Sequence, residues 1–298
     1  MAVINTVSLT KYYGKTRGIE DLHLTVEQGE VFGFLGPNGA GKTTTIRVLT
    51  ALLRPTKGTA SVLGKDAWRH SAIIKEELGN LPGDIRLYDK MSGAEFLNFI
   101  ARFRPRKPPV LKEELIERFD LNPNKRIKDY SKGNRQKLGI VQALMHDPQL
   151  LLLDEPTSGL DPLMQQQFYA VMEEFRSRGR TVFISSHILP EIERVCDRVG
   201  IIKEGHLVSV ERISDLEAKH VRYVDVSFEG SVNQEDFRVP GVTAIERIND
   251  HLRITVKGEI DPLIKKLAQY NVKDLASSHA SLEEVFLEFY GKGGTVER

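Results

Sequence analysis

The segment Gly36-Pro37-Asn38-Gly39-Ala40-Gly41-Lys42-Thr43 constrains this chain more than any other. It fits the pattern G-x-x-x-x-G-K-[ST], in which a glycine-rich turn wraps its backbone N–H groups around phosphate oxygens. A chain of this length would meet that pattern by chance roughly once in a hundred. Its flanks agree with it. Val31-Phe32-Gly33-Phe34-Leu35 is an apolar run of buried-strand length, and from Thr44 to Leu53 the residues Ile46, Leu49 and Leu53 share one helical face. The helix N-terminus adds its positive dipole end to an anion site. Lys42 is then placed to reach the terminal phosphates of a nucleoside triphosphate, and the Thr43 hydroxyl to hold Mg²⁺.

Further buried-strand runs at Leu150 to Leu153, Thr181 to Ser185 and Val199 to Ile202 alternate with helical patterns, which is the α/β signature. Ahead of the loop, Val7 and Leu9, then Leu22, Leu24 and Val26, read as antiparallel strands. Between Ser92 and Asp147 the pattern is mostly helical. Ser92 and Glu95 make a capping box ahead of Phe96, Phe99, Ile100 and Phe103, so an inserted helical subdomain is expected over about 85–147. Asp161-Pro162 starts a helix whose apolar stripe is Val171, Met172 and Phe175 and which stops at Gly179. Past residue 215 the character changes: Val224, Val226 and Phe228, then Leu252, Ile254 and Val256, alternate as strands. The expected division is therefore 1–215, a nucleotide-binding domain, and 216–298, a small α+β domain. Its last helix is expected from the Ser281/Glu284 capping box, with Leu282, Val285, Phe286 and Phe289 as a core face or a dock for a second subunit.

Composition excludes several classes. The 298 residues are 40% hydrophobic, ample for a core. The longest apolar stretch, around Leu150 to Leu153, is far short of the ~20 residues that span a bilayer. The N-terminus has no basic, apolar leader, so residence in the cytoplasm is expected. Cys196 is alone, which excludes an internal disulfide and suggests a small buried hydrophobe. A net charge of +1 gives no reason to expect nucleic acid. The basic, proline-broken stretch Arg102 to Pro109 reads as a solvated connector.

Four more segments bear chemistry. The strand Leu150 to Leu153 ends in Asp154 and Glu155, placed to hold Mg²⁺ and to face an attacking water. Ser131, in Tyr130-Ser131-Lys132-Gly133-Asn134, is the natural cap of the helix carrying Leu138, Val141, Leu144 and Met145, and so a second anion site. Ser158-Gly159-Leu160-Asp161 and Ser185-Ser186-His187 complete the set.

In this order the segments resemble the ATP-binding cassette (ABC) ATPases, in particular their export branch for drugs, lipids and polysaccharides, over about residues 3–215. The resemblance implies a P-loop NTPase cassette with an antiparallel β subdomain and the helical insertion. It implies ATP and Mg²⁺ held by Gly36 to Thr43 and the following Thr44, with Asp154 on the metal, Glu155 as base and His187 as switch. Ser158 to Asp161 matches the linker between subunits. Tyr13 matches the ring stacked on adenine, with Tyr12 its neighbouring alternative. The family's Leu-Ser-Gly-Gly-Gln signature is here Tyr130 to Asn134, retaining Ser131 and Gly133 and introducing Lys132. Where the family places a metal-touching glutamine this chain has Gly83, followed by Asp84. The resemblance further implies a head-to-tail homodimer and a separate transmembrane permease, and so a place on the cytoplasmic face of the membrane. The competing class is an ABC-type ATPase of translation or DNA metabolism. Such proteins usually carry two cassettes or a long coiled-coil insertion before the signature.

Overall fold

The helix that follows the phosphate loop is enclosed between two sheets, and that enclosure fixes the loop. The computed structural model describes residues 1–218, 221–230, 232–248 and 250–279. The chain divides into two compact units, Met1–Arg212 and Ile213–Arg298. In the first, β1 (Ala2–Tyr13) and β2 (Thr16–Glu27) lead into β3 (Val31–Leu35), the loop and α1 (Lys42–Leu49). Next come β4 (Lys57–Val62), β5 (Lys65–Asp66), α2 (Ser71–Glu77) and β6 (Leu78–Leu81). The helical insertion holds α3 (Gly93–Ala101), α4 (Lys112–Arg118) and α5 (Lys132–Leu144). The unit ends with β7 (Leu150–Asp154), α6 (Pro162–Ser177), β8 (Thr181–Ser186), α7 (Leu189–Val195), β9 (Arg198–Lys203) and β10 (His206–Arg212).

One sheet has the order β2-β1-β4-β5 and is antiparallel throughout. The other runs β10-β9-β3-β8-β7-β6, parallel except for the β9–β10 hairpin. Every residue of β3, β7 and β8 is buried, as expected of parallel strands covered on both faces. Ile46, Val48 and Leu49 of α1 share a core with Ile4, Leu24 and Val62 of the first sheet and Phe34, Leu152 and Phe183 of the second.

Three expectations are corrected. Val7 and Leu9 do not share a face: Leu9 is fully buried while Val7 is 49% exposed. Ser8 adopts a left-handed φ of 46° where the register of β1 against β2 shifts, so a bulge reverses the alternation and puts Thr6 inside. The Thr6 hydroxyl donates to the Leu22 carbonyl at 2.8 Å and accepts the Leu24 N–H at 2.9 Å, so its burial leaves nothing unpaired. Phe103 lies beyond the end of α3 and is exposed, its ring edge-on to Phe99. The basic stretch is not simply solvated. Arg104 donates to the carbonyls of Lys75 and Leu78 at the end of α2, each at 3.3 Å, and Lys107 pairs with Glu77 at 2.8 Å. The stretch thus ties the helical insertion to α2 by satisfying helix-end carbonyls.

Other local readings stand as expected. Ser92 and Glu95 form the reciprocal capping box of α3, Asp161 caps α6 with Pro162 in its first turn, and Gly179 follows α6 at φ 74°. Cys196 is buried, and burial raises its thiol well above the ordinary range.

The second unit comprises α8 (Ile213–Ala218), β11 (Val221–Phe228), β12 (Val242–Ile248), β13 (His251–Lys257), α9 (Asp261–Leu267) and β14 (Val272–His279). Its sheet is antiparallel in the order β12-β13-β11-β14. Val224, Val226, Leu252, Ile254 and Val256 point to one core with Leu263 and Leu267 of α9, the period-2 pattern read from the sequence. The expected helix from Ser281 lies outside the described residues.

Candidate nucleotide site

Because β3, β8 and β7 are parallel neighbours, their C-terminal ends present three loops along one edge of the sheet. That edge is where open α/β sheets bind ligands. The loop after β3 is the glycine-rich turn. Gly41 has φ 114°, a conformation side chains rarely adopt, and a Cβ there would stand 2.8 Å from the Gly18 carbonyl oxygen. At Gly36 a Cβ would come within 2.4 Å of the Ile202 carbonyl oxygen, so glycine is what lets the loop pack against β9.

Lys42 is 5% exposed and donates to the Gly36 and Pro37 carbonyls at 2.6 and 3.2 Å. The loop's own backbone thus arches the ammonium over the turn. Its nitrogen is also 3.2 Å from Glu155 Oε1. Beside it the Thr43 hydroxyl donates to Asp154 Oδ2 at 2.7 Å, and the Ser185 hydroxyl donates to Asp154 Oδ1 at 2.5 Å. Both carboxylate oxygens of Asp154 are therefore fixed, one from the first turn of α1 and one from β8.

Glu155 has φ 50°, a left-handed backbone that turns its side chain away from that of Asp154. Its N–H donates to the Ser185 carbonyl at 3.1 Å, and the Gln136 amide of α5 donates to the carbonyls of Glu155 and Pro156 at 3.3 and 2.7 Å. Held this way, the carboxylate stands between Lys42 and His187, with Oε2 2.7 Å from His187 Nδ1. A cavity of about 330 Å³ opens beside it, lined by Tyr13, Gly18, Asn38, Gly39, Lys42, Thr43, Thr44 and Glu155 among others. Its size and its backbone N–H lining suit a nucleotide.

Tyr13 and Tyr12 are placed differently. The Tyr13 ring lines the cavity with its hydroxyl 3.3 Å from Thr44 Oγ1, whereas the Tyr12 hydroxyl donates to Glu20 at 2.8 Å and its ring does not reach the cavity. A Cβ on Gly18 would lie 2.9 Å from the Tyr13 ring, so the glycine makes room for that aromatic.

Ser131, Gly133 and Asp161 are not brought into this cavity. The Ser131 hydroxyl accepts the Asn134 N–H at the start of α5, and Asp161 accepts the Met164 N–H at the start of α6. Those two helix starts adjoin each other, since a Cβ on Gly133 would lie 2.8 Å from the Gly159 carbonyl oxygen. Lys132 lays its alkyl chain over Gly159. Ser185, Gln136, Thr16 and Arg17 also belong to the site or its lining, and sequence reasoning gave them no role. Ser185 and Gln136 stood inside segments quoted for other residues, so position within a motif was the available signal.

The donors present fit Mg²⁺. Thr43 Oγ1 and Asp154 Oδ2 are hard oxygens in contact with each other, and Mg²⁺ takes one or two protein oxygens, waters and substrate phosphates. No cluster of three or more His, Cys, Asp or Glu fit for a metal occurs among the described residues. Gly83 contributes no ligand, and a Cβ there would stand 3.0 Å from Asp154 Oδ2.

The chain is similar to known proteins in sequence and in fold. The ABC transporter family model matches residues 19–158. The bacitracin transport ATP-binding protein BcrA of Enterococcus faecalis is 35% identical, over 98% of this chain and 97% of its own length. The ABC transporter ATP-binding protein NatA of Bacillus subtilis is 38% identical over 64% of this chain and 80% of its own. Among solved structures, an ATP-binding subunit of an ABC transporter superposes with a TM-score of 0.64 at 30% identity, covering 72% of this chain and 92% of that one. A dimeric ABC transporter cassette, MJ0796, shares the fold with a TM-score of 0.66 at 21% identity over 70% of this chain and 98% of that one. Among the described residues no helix is long and apolar enough to cross a membrane. With family motifs in order, a matching family model and a relative aligned over nearly the whole of both chains, the chain belongs to the ABC transporter family as one of its ATP-binding ATPase subunits.

Proposed function

We propose that this subunit hydrolyses ATP in a homodimer and drives export through a separate membrane permease. The placement of the Glu155 carboxylate between Lys42 and His187, beside the cavity, supports this most directly. Gly36 to Thr44 cradle the phosphates, and Lys42 turns its ammonium from the loop carbonyls toward the terminal phosphate. Tyr13 supports the base. Glu155 accepts hydrogen bonds from the attacking water and takes its proton, while His187 orients that carboxylate and reaches the terminal phosphate. Mg²⁺ held by Thr43 and Asp154 would supply charge neutralisation on the phosphate oxygens.

Ser131, Gly133 and Asp161 lie outside the chain's own cavity, and this favours a head-to-tail arrangement in which they complete the partner's site. The start of α5, capped by the neutral Ser131, leaves N–H groups for an incoming phosphate. The cassette MJ0796, similar in fold, is described as dimeric. A surface for the permease is offered by Tyr88, Phe99 and Phe103, which form an edge-to-face ladder with Tyr88 and Phe103 more than half exposed. The translation and DNA alternative is not favoured, since the relative aligned over nearly its full length is named as a transport protein.

Size-exclusion chromatography of Glu155→Gln with ATP and Mg²⁺ tests the dimer. A shift to dimer with ATP and a return to monomer with ADP is expected. A monomer under both conditions would remove the shared-site reading. Purification in mild detergent tests the partner: a polytopic membrane protein should co-purify, and recovery of ribosomes or DNA in its place would overturn transport.

A further inference from the structure

Outside the residues assigned above, Glu191 is the acidic side chain most enclosed in the unit, 7% exposed in the first turn of α7. Burying a carboxyl group is costly unless its oxygens are paired, so its partners indicate what it holds. Two hydroxyl groups from two segments hold it. The Ser186 hydroxyl, at the end of β8 and one residue before His187, donates to Oε2 at 2.6 Å. The Thr157 hydroxyl, two residues after Glu155 and one before the Ser158 to Asp161 linker, donates to Oε1 in a short hydrogen bond. Tyr169 of α6 feels the same charge: burial, followed by the Glu191 carboxyl group, pushes its phenol up to about 12. Thr157 and Ser186 are themselves 4% and 0% exposed, so neither can exchange its partner for bulk water. The same Ser186 oxygen accepts the Ile188 N–H at 2.9 Å, which closes the turn carrying His187.

We propose that Glu191 is a positioning residue for hydrolysis: by clamping Thr157 and Ser186 it holds Glu155 against His187 and makes the Ser158 to Asp161 linker move with the switch histidine. This rests on the reading of Glu155 and His187 as the hydrolytic pair. The alternative is a buried polar anchor that stabilises the fold and nothing else. The two differ in what they alter. A positioning role acts on the chemical step, because a misplacement of about 1 Å costs up to roughly 100-fold in rate while leaving the distant phosphate loop intact. A purely structural role lowers the melting temperature and impairs nucleotide binding together with turnover.

The test compares wild type, Glu155→Gln, Glu191→Gln and Glu191→Asp of the full chain for ATP turnover, affinity for a fluorescent ATP analogue, and melting temperature. Glu191→Gln keeps size and shape but places an N–H₂ against a hydroxyl donor. It is expected to lower kcat by roughly 10- to 100-fold, with analogue affinity within about twofold. Glu191→Asp, which keeps two acceptors on a shorter stem, should recover part of that rate. The Glu191→Gln change introduced into Glu155→Gln should lower the residual turnover no further, since the group it positions is already gone. Unchanged kcat in Glu191→Gln, or losses of affinity and melting temperature that parallel the loss of kcat, would overturn the proposal. If Glu155→Gln itself retains turnover, the hydrolytic reading fails instead, and the two failures are told apart within one experiment.

Discussion

Glu155 Oε2 lies 2.7 Å from Nδ1 of His187, so the residue that follows β7 and the residue that follows β8 meet across two adjacent parallel strands. The contact survives only while both strand ends keep their register, which couples the positions of the two side chains. His187→Ala removes the orienting imidazole and leaves the phosphate loop untouched. Steady-state phosphate release is expected to fall by roughly 100-fold or more, the scale of a lost acid–base partner. The KM for ATP should change by less than about threefold, because the interaction is made in the transition state. Turnover near wild type would detach His187 from hydrolysis.

Lys42→Ala tests a different level of the site. The ammonium is buried and held by two loop carbonyls, contacts it would exchange for charge-assisted ones to phosphate. Its removal also leaves those carbonyls without their donor. Affinity for a fluorescent ATP analogue is expected to drop roughly 10- to 100-fold, the equivalent of a charge-assisted hydrogen bond or two. Unchanged affinity in an equilibrium titration would contradict the phosphate contact.

Gly83 stands where the resemblance places a metal-touching glutamine, and the structure shows what a side chain there would meet. Any Cβ at this position meets the Asp154 carboxylate at 3.0 to 3.2 Å, and that carboxylate is fixed by Thr43 and Ser185. Gly83→Gln should therefore retain kcat at saturating Mg²⁺. The Mg²⁺ concentration for half-maximal activity should rise about fivefold, from roughly 1 kcal/mol of crowding on the metal-facing oxygen. A sharp fall in that concentration would mean that the new amide has become a ligand, and the crowding argument would be wrong.

How much of this was legible beforehand depends on how local the determinants are. The phosphate loop, the Asp154-Glu155 strand end and the caps Ser92, Ser131 and Asp161 are each specified within a few residues, and the structure places them where the pattern says. The Ser8 bulge depends on pairing with β2 and β4, so no window around Val7 and Leu9 contains it. Arg104 sits in a stretch that looks solvated because its acceptors, the carbonyls of Lys75 and Leu78, lie far off in sequence. Glu191 is the strongest instance. In a short helix an acidic residue reads as a solvated N-terminal charge, and only the fold brings Thr157 and Ser186 to it.

His146 gives a prediction about stability that is independent of the nucleotide. It is 3% exposed at the junction between α5 and β7, and its pKa is lowered from 6.5 to about 4, chiefly by burial and then by the nearby Arg104 cation. The folded chain thus keeps the ring neutral down to about pH 4, while the unfolded chain protonates it below about 6.5. Between those values the unfolded state binds more protons, so stability must fall as pH falls through this window. From pH 7.5 to 5.0 the loss assigned to this one ring is about 2 kcal/mol. Urea unfolding of wild type and His146→Gln at both pH values measures it: the variant should lose about 2 kcal/mol less than wild type over that interval. Parallel pH dependences would show that the ring accepts a proton in the folded chain as readily as in the unfolded one, against the burial seen here.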